Sequence, residues 1–580
     1  MQKFNYLIFL SLLIITSCFS QKEEDWGVTS DKLAEEFTFA LSDLNPEIGS
    51  SFGYEQYDKL GTNPRMELDE AYDKLFIQWI EKLEKLEEKT ELGNLKVDYE
   101  ILLSVIKRMK NRVDTSRRLG VIGASNVSES IYQSLFGLIN PQSPKHRKEA
   151  GVDRFKYYMS EKGKKSYVMG MLSEEKRYLA LYKDKIYPFI GEVTKNLENS
   201  PAYVAGVKQL LESSGRTDWQ KEYELFQKQV LEYDAFIRSE ILPHARQNPN
   251  LPKELYQIAL GDAGVDIGAD ELIKIGKKDF DELYKEYQKL ASQIAKKNNL
   301  KKEDPLSVIT FLKKKQVTKL DDVQRLYERA ADKLEKIIAE NDLVSLPKQK
   351  LVIRMAGDAE SRAQPVPHLN PPPLIGNDGS IKPEFVVPTS STGSLPFDDF
   401  SYESAATVLT AHEGRPGHDL QFSRMLEEKT SLIRARYAMN SVNVEGWALY
   451  AEDLVYDYLT LEEKFAGLEM RLWRIARYFL DPSVQLGMAS AEDVVEVFHN
   501  KLGVSKEMSM LEFQRYAYRS PGQATAYYHG LKKIRGLKAS IEKDYGRIKL
   551  KCFNDTLLSF GLMPHDLILL FKDKFKSCKI

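Results

Sequence analysis

Apolar residues recur at three- and four-residue spacing, with charges between them, over Leu75–Leu92, Val97–Arg112, Lys176–Tyr187 and Trp219–Leu242. That period predicts helices with one buried face. Pro188 and Pro243 directly follow two of these segments, where a helix should stop. Another helix is expected from about Ile267 to Lys297, with Asp270 near its start, and one more over Lys319–Ile338. From about Asp31 onward the pattern is mostly helical, and no internal repeat interrupts it.

The pattern changes between Leu351 and Phe400. Leu351-Val352-Ile353-Arg354-Met355 is short and rich in β-branched residues, which predicts a strand. Five prolines follow (Pro365, Pro367, Pro371, Pro372 and Pro373), then a turn signal at Asn377-Asp378-Gly379. Phe385-Val386-Val387-Pro388 reads as a second strand whose terminal Pro suits a sheet edge. Such an edge could pair with an extended peptide. The competing expectation is a Pro-rich loop packed across a helical body. Helical spacing resumes at Tyr402–Thr410.

Composition narrows the class. The 580 residues are 42% hydrophobic and 29% charged, as in folded globular proteins. Basic and acidic residues number 83 and 85, so there is no basic field to favour nucleic acid. The three cysteines, Cys18, Cys552 and Cys578, cannot form a disulfide framework or a cysteine zinc cluster. The apolar run Tyr6–Ile15 after Lys3 is too short to span a bilayer and reads as a secretory signal. Its end, Ile15-Thr16-Ser17-Cys18, resembles a bacterial lipoprotein cleavage box. The expectation is a signal peptide over 1–17, a lipid on Cys18, a polar tether over 18–30 and a membrane-anchored protein of the cell envelope. An ordinary signal peptide containing a Cys is the plainer alternative. Cys552 and Cys578 remain free to pair if the fold brings them together.

Two of the eight histidines sit in one stretch, His412-Glu413-Gly414-Arg415-Pro416-Gly417-His418. A His-Glu pair followed by a second His is the arrangement of a hydrolytic zinc site, with neutral imidazoles on the metal and the carboxylate on the attacking water. The usual spacing is four residues, on one helix face. Six residues at about 100° each put the second histidine roughly 120° off that face. Either the helix breaks at Arg415-Pro416-Gly417, or these histidines are structural and bind no metal. A second helix carries Glu445 and Glu452, seven apart and on one face. A carboxylate there could complete a three-ligand site with an open position. Glu427 and Glu428 lie in a charged run and suit solvent.

HEGRPGHDLQ, VNVEGWALYAEDL and RYAYRSPGQATAYYHG together resemble the three signature blocks of the bacterial family known as domain of unknown function 885. That family is similar to the gluzincin branch of zinc metallopeptidases, mainly helical proteins with a deep substrate channel. The resemblance implies that His412, His418 and Glu445 bind one zinc per chain, that Glu413 is the general base, and that Tyr527 stabilises the oxyanion. Tyr528 and His529 compete for that last role, and Glu452 could orient a ligand histidine. Arg519 and Arg515 are the nearest cations for a substrate carboxylate.

The expected protein is therefore mainly α, a large helical metallopeptidase-like fold with a deep channel and a small β element before the metal-binding helix. One catalytic domain spans 31–580, divisible into lobes at 31–350 and 351–580. Its expected partners are short or unfolded peptides and, through Cys18, a membrane. The alternatives are a metallohydrolase of another amide or ester, and a peptide-binding lipoprotein without catalysis.

Overall fold

The periodic segments fold as helices near their predicted bounds: Glu67–Lys89, Asn94–Arg118, Gln220–Phe236, Ala269–Lys297 and Leu320–Glu340. The computed structural model describes residues 26–160, 166–317, 319–357, 360–361, 364–373, 380–388, 398–428 and 430–580. The signal peptide, Cys18 and the turn at Asn377-Asp378-Gly379 lie outside these residues. Of the predicted tether, residues 26–30 are helical and continue to 42. The helix expected over Lys176–Tyr187 instead runs Tyr167–Leu181. The chain leaves it early because Ile186 pairs with the backbone at Gly120 and Ile122, both at 2.9 Å. Tertiary backbone pairing outweighs the local spacing there.

Buried apolar residues form two clusters. The smaller draws on residues 122–245, including Val127–Phe136 (α1). The larger draws on chain from both sides of it, residues 33–109 and 256–578. Residues 31–350 thus contribute to both clusters.

Ala269–Lys297 (α2) and Leu320–Glu340 (α3) precede a three-stranded sheet of Val352–Met355 (β1), His368–Asn370 (β2) and Glu384–Val387 (β3). The order is β1–β3–β2, with β1 parallel and β2 antiparallel to β3. The strand expected at the edge, Phe385–Val387, is central and fully buried. Its Pro388 follows the last paired residue, so the missing N–H costs no ladder bond. One edge is β2, inside the Pro-rich segment, too short to show alternation.

Glu403–Glu413 (α4), His418–Glu428 (α5), Ser441–Tyr456 (α6), Leu461–Gln485 (α7) and Ala526–Tyr545 (α8) complete the frame. Every residue of α7 from Phe465 to Gln485 is buried. A helix buried all round is a central post. Its start is fixed by a capping box between Thr460 and Glu463. Lys333 of α3 and Thr407 of α4 also hydrogen-bond the Glu463 carboxylate, at 2.5 and 2.9 Å. Along α2, Tyr287 stacks on Phe465 at 4.4 Å and Phe280 meets Phe479 edge-on at 5.7 Å. Helices α6 and α8 cross more tightly, at Gly446 and Gly530. A Cβ on Gly530 would lie 2.1 Å from the Val442 carbonyl oxygen.

Cys552 and Cys578 form a disulfide closing a 26-residue separation. No helix among the described residues is long and apolar enough to cross a membrane.

The glycine crossing gives a direct test. Gly530→Val drives a side chain into backbone that cannot retreat without moving α6, so overpacking should cost about 2 kcal/mol or more. A denaturant melt of the variant against the parent measures it; an unchanged midpoint would mean that the crossing is loose.

Candidate metal centre

Helix α4 carries His412 and Glu413 in its last turn, and α5 opens on His418. The four residues between them reverse the chain, so the six-residue spacing is a break between two helices and not one bulged helix. The break is heavily anchored. Trp447 of α6 donates its indole N–H to the carbonyls of Pro416 and Gly417, at 3.0 and 3.2 Å. Buried Arg415 donates to Asp419 at 2.8 Å, to Glu335 at 2.6 Å and to the Gln349 carbonyl. Position 417 must be glycine, because a Cβ there would sit 1.8 Å from the His412 carbonyl oxygen.

The reversal swings His418 back towards His412. Their rings are 5.0 Å apart between centroids and nearly perpendicular. Glu445 Oε2 of α6 lies 3.4 Å from His412 Nε2 and 3.3 Å from His418 Nε2. One ligand atom from each of the three residues falls within 4.8 Å of the others. Ligands about 2.0–2.2 Å from a tetrahedral zinc stand roughly 3.3–3.6 Å from one another, so the donor types and both distances to Glu445 match that ion. Among the described residues this is the one group of three or more His, Cys, Asp or Glu so arranged.

The seven-residue spacing on α6 has a specific result. Glu445 faces Nε2 of His412, while Glu452 faces its Nδ1 at 2.7 Å. The two carboxylates bracket one imidazole, and Glu452 fixes the ring's orientation and leaves Nε2 for the centre. Arg474 of α7 backs Glu452 at 3.5 Å. Burial works against charge on His412, yet Glu445 and Glu452 push its pKa up to about 9. Burial also opposes charge on Glu445, but hydrogen bonds from both histidines hold it well below the usual carboxylate range. Without a metal the centre therefore holds a proton on His412, which a divalent cation bound there would have to displace.

Glu413 Oε1 lies 3.9 Å from His412 Nε2. The Tyr527 ring of α8 lies nearly parallel to the His412 ring at 6.2 Å. Its hydroxyl oxygen accepts a hydrogen bond from Arg515 Nη2 at 2.8 Å, which leaves the phenolic O–H free to donate elsewhere. Burial raises the phenol's pKa against the opposing pull of Arg515, so it stays protonated at neutral pH. A cavity of about 560 Å³ opens over these groups, walled by α1, β2 and α7.

The structure thus brings together His412, Glu413, His418, Glu445, Glu452 and Tyr527. It does not bring Tyr528 or His529 to the centre. Consecutive helical residues point about 100° apart, so one of the three can face it. Tyr528 donates to Asp279 at 2.9 Å, and His529 lies between Tyr478 and Asp266. Arg519 is exposed and lines an adjoining cavity of about 400 Å³. Arg474 and Arg477 were not anticipated. Their signal was three arginines, Arg471, Arg474 and Arg477, at three-residue steps on one stripe of a helix.

A family model for bacterial proteins of unknown function, DUF885, matches residues 46–569. The chain belongs to the DUF885 family. Two solved structures share its fold. One is a candidate lipoprotein from Colwellia psychrerythraea, 15% identical, with a TM-score of 0.74 over 96% of this chain and 100% of that one. The other is a candidate lipoprotein of unknown function from Shewanella oneidensis, 20% identical, with a TM-score of 0.66 over 93% and 98%. At such identities the likeness is one of fold. No curated protein matches this DUF885 chain.

The bracketing of His412 yields a prediction. Glu452→Gln removes the carboxylate behind the imidazole and should weaken zinc binding roughly 10- to 100-fold, with the ligands themselves untouched. Competition against a chromogenic chelator reads the affinity; an unchanged value would reduce Glu452 to a packing role.

Proposed function

We propose that this DUF885 protein is a zinc-dependent peptidase tethered to the cell envelope through a lipid on Cys18, with one zinc per chain. The observation that carries the reading is the convergence of His412, His418 and Glu445 beneath a cavity, with Glu413 beside them. Zinc held there supplies a Lewis acid and lowers the pKa of a water from about 15.7 towards 7.

The chain's own groups divide the remaining work. Glu413 takes the proton from the attacking water and returns it to the leaving amine. Tyr527, its oxygen already accepting from Arg515, donates its O–H to the oxygen on which negative charge develops. Glu452 keeps the His412 ring from turning. The apolar walls, among them Phe136, Phe400, Phe422 and Trp473, exclude water and strengthen each of these interactions. The cavity suits short or unfolded peptides, since a folded protein cannot present backbone inside it.

Two further observations support the envelope. The structural relatives are described as candidate lipoproteins, and the Cys552–Cys578 disulfide suits an oxidising compartment. An outer-membrane lipoprotein, facing the periplasm or the outside, is the corresponding placement.

Glu413→Gln tests the chemistry. Hydrolysis of a mixed peptide panel should fall at least about 10²- to 10⁴-fold, with zinc content staying near one per chain by atomic absorption. Unimpaired turnover in this variant would refute the mechanism. A parent that binds peptides without cutting any would instead be a binding lipoprotein.

A further inference from the structure

Three guanidinium groups line the cavity over the centre: Arg474, Arg477 and Arg515. Two of them are matched by carboxylates. Arg474 donates to the Met470 carbonyl at 3.0 Å and lies against Glu452. Arg477 is held fork-to-fork by Glu512, at 2.8 and 2.6 Å. Arg515 differs. Its Nη2 donates to the Gln523 side-chain oxygen at 2.5 Å and to the Tyr527 hydroxyl at 2.8 Å, and both partners are neutral. Among the described residues its Nε and Nη1 have no hydrogen-bond partner, and no carboxylate forms an ion pair with it. Glu512 attracts Arg515 from beyond hydrogen-bond distance but is already engaged fork-to-fork with Arg477, so the free edge of this partly buried cation still lacks a direct carboxylate partner, which something entering the cavity can supply. A planar fork with free N–H groups is matched to a carboxylate.

The position is as telling as the charge. Arg515 holds the phenol that lies along His412, so an anion on its free edge lies in the same cavity as the centre. It also stands at the seam between the main cavity and the adjoining one, which share Gln364, Val366, Met508 and Arg515. Apart from Arg515, the adjoining cavity sets Glu129, Glu192 and Glu512 against Lys195 and Arg519, so it offers an anion no comparable attraction farther in. One peptide residue spans about 3.3–3.6 Å, so a chain end held at Arg515 is within a few residues of the bond being cut.

We propose that Arg515 receives the C-terminal carboxylate of the substrate, so that the protein releases short fragments from peptide C-termini. This rests on the peptidase reading above, and the test separates the two. Matched peptides differing only in a free or amidated C-terminus are given to the wild-type protein. The free acid should be cut with a kcat/KM at least about 10-fold higher. The preference should collapse towards one in Arg515→Gln and survive in part in Arg515→Lys. The same pair is titrated by calorimetry into the Glu413→Gln protein, where the acid should bind more tightly by a similar factor. Equal handling of acid and amide by the wild type, in cleavage and in binding, would overturn the carboxylate site, whether or not the Gln variant folds. Tighter binding of the acid with no cleavage of either peptide would uphold the site and overturn the peptidase reading.

Discussion

The contact between Gly446 and Gly530 sets the dimensions of the centre. Glu445 directly precedes one glycine, and Tyr527 stands three residues before the other. Helices α6 and α8 approach until backbone meets backbone, a separation that side chains cannot adjust. The carboxylate and the phenol are thereby carried on two rods locked together at a single point. Gly417 does the same on the third side, where only a hydrogen fits beneath the His412 carbonyl. Three glycines thus fix distances that flexible side chains would leave loose, in line with the rigidity that positioned chemistry demands.

Around this frame the buried charges are arranged in series. Glu445 and Glu452 flank His412, Arg474 flanks Glu452, and Glu512 holds Arg477 against the face of Tyr527 at 4.8 Å. Each charge is compensated by a neighbour, which is the condition for keeping ions out of water. Most of these groups come from α6 and α7, neither of which has an exposed residue.

Much of this was legible in the sequence. Helices with one wet face announce themselves by spacing, as Ala269–Lys297 and Leu320–Glu340 do. The small sheet was visible through Val352–Met355 and Phe385–Val387, but not its order, since strand order is set by what packs on either side. The three-residue strand His368–Asn370 is too brief to carry a period. The six-residue histidine spacing looked unfavourable on a helix, and a reversal between two helices resolves it. Tyr527, Tyr528 and His529 could not be ranked from sequence, because the ranking is a matter of helix rotation. Arg515 and Arg519, four residues apart, likewise separate only in three dimensions, where one meets the phenol and the other meets solvent.

The disulfide near the end of the chain has a consequence for durability. Cys578 is fully buried. Ile548 and Lys579 pair as an antiparallel bridge, and the Ile580 N–H donates to the Arg547 carbonyl at 2.9 Å. The disulfide and this backbone pairing together hold residues 578–580 against residues 547–552. A segment closed in this way stays attached to the body even when its backbone pairing opens.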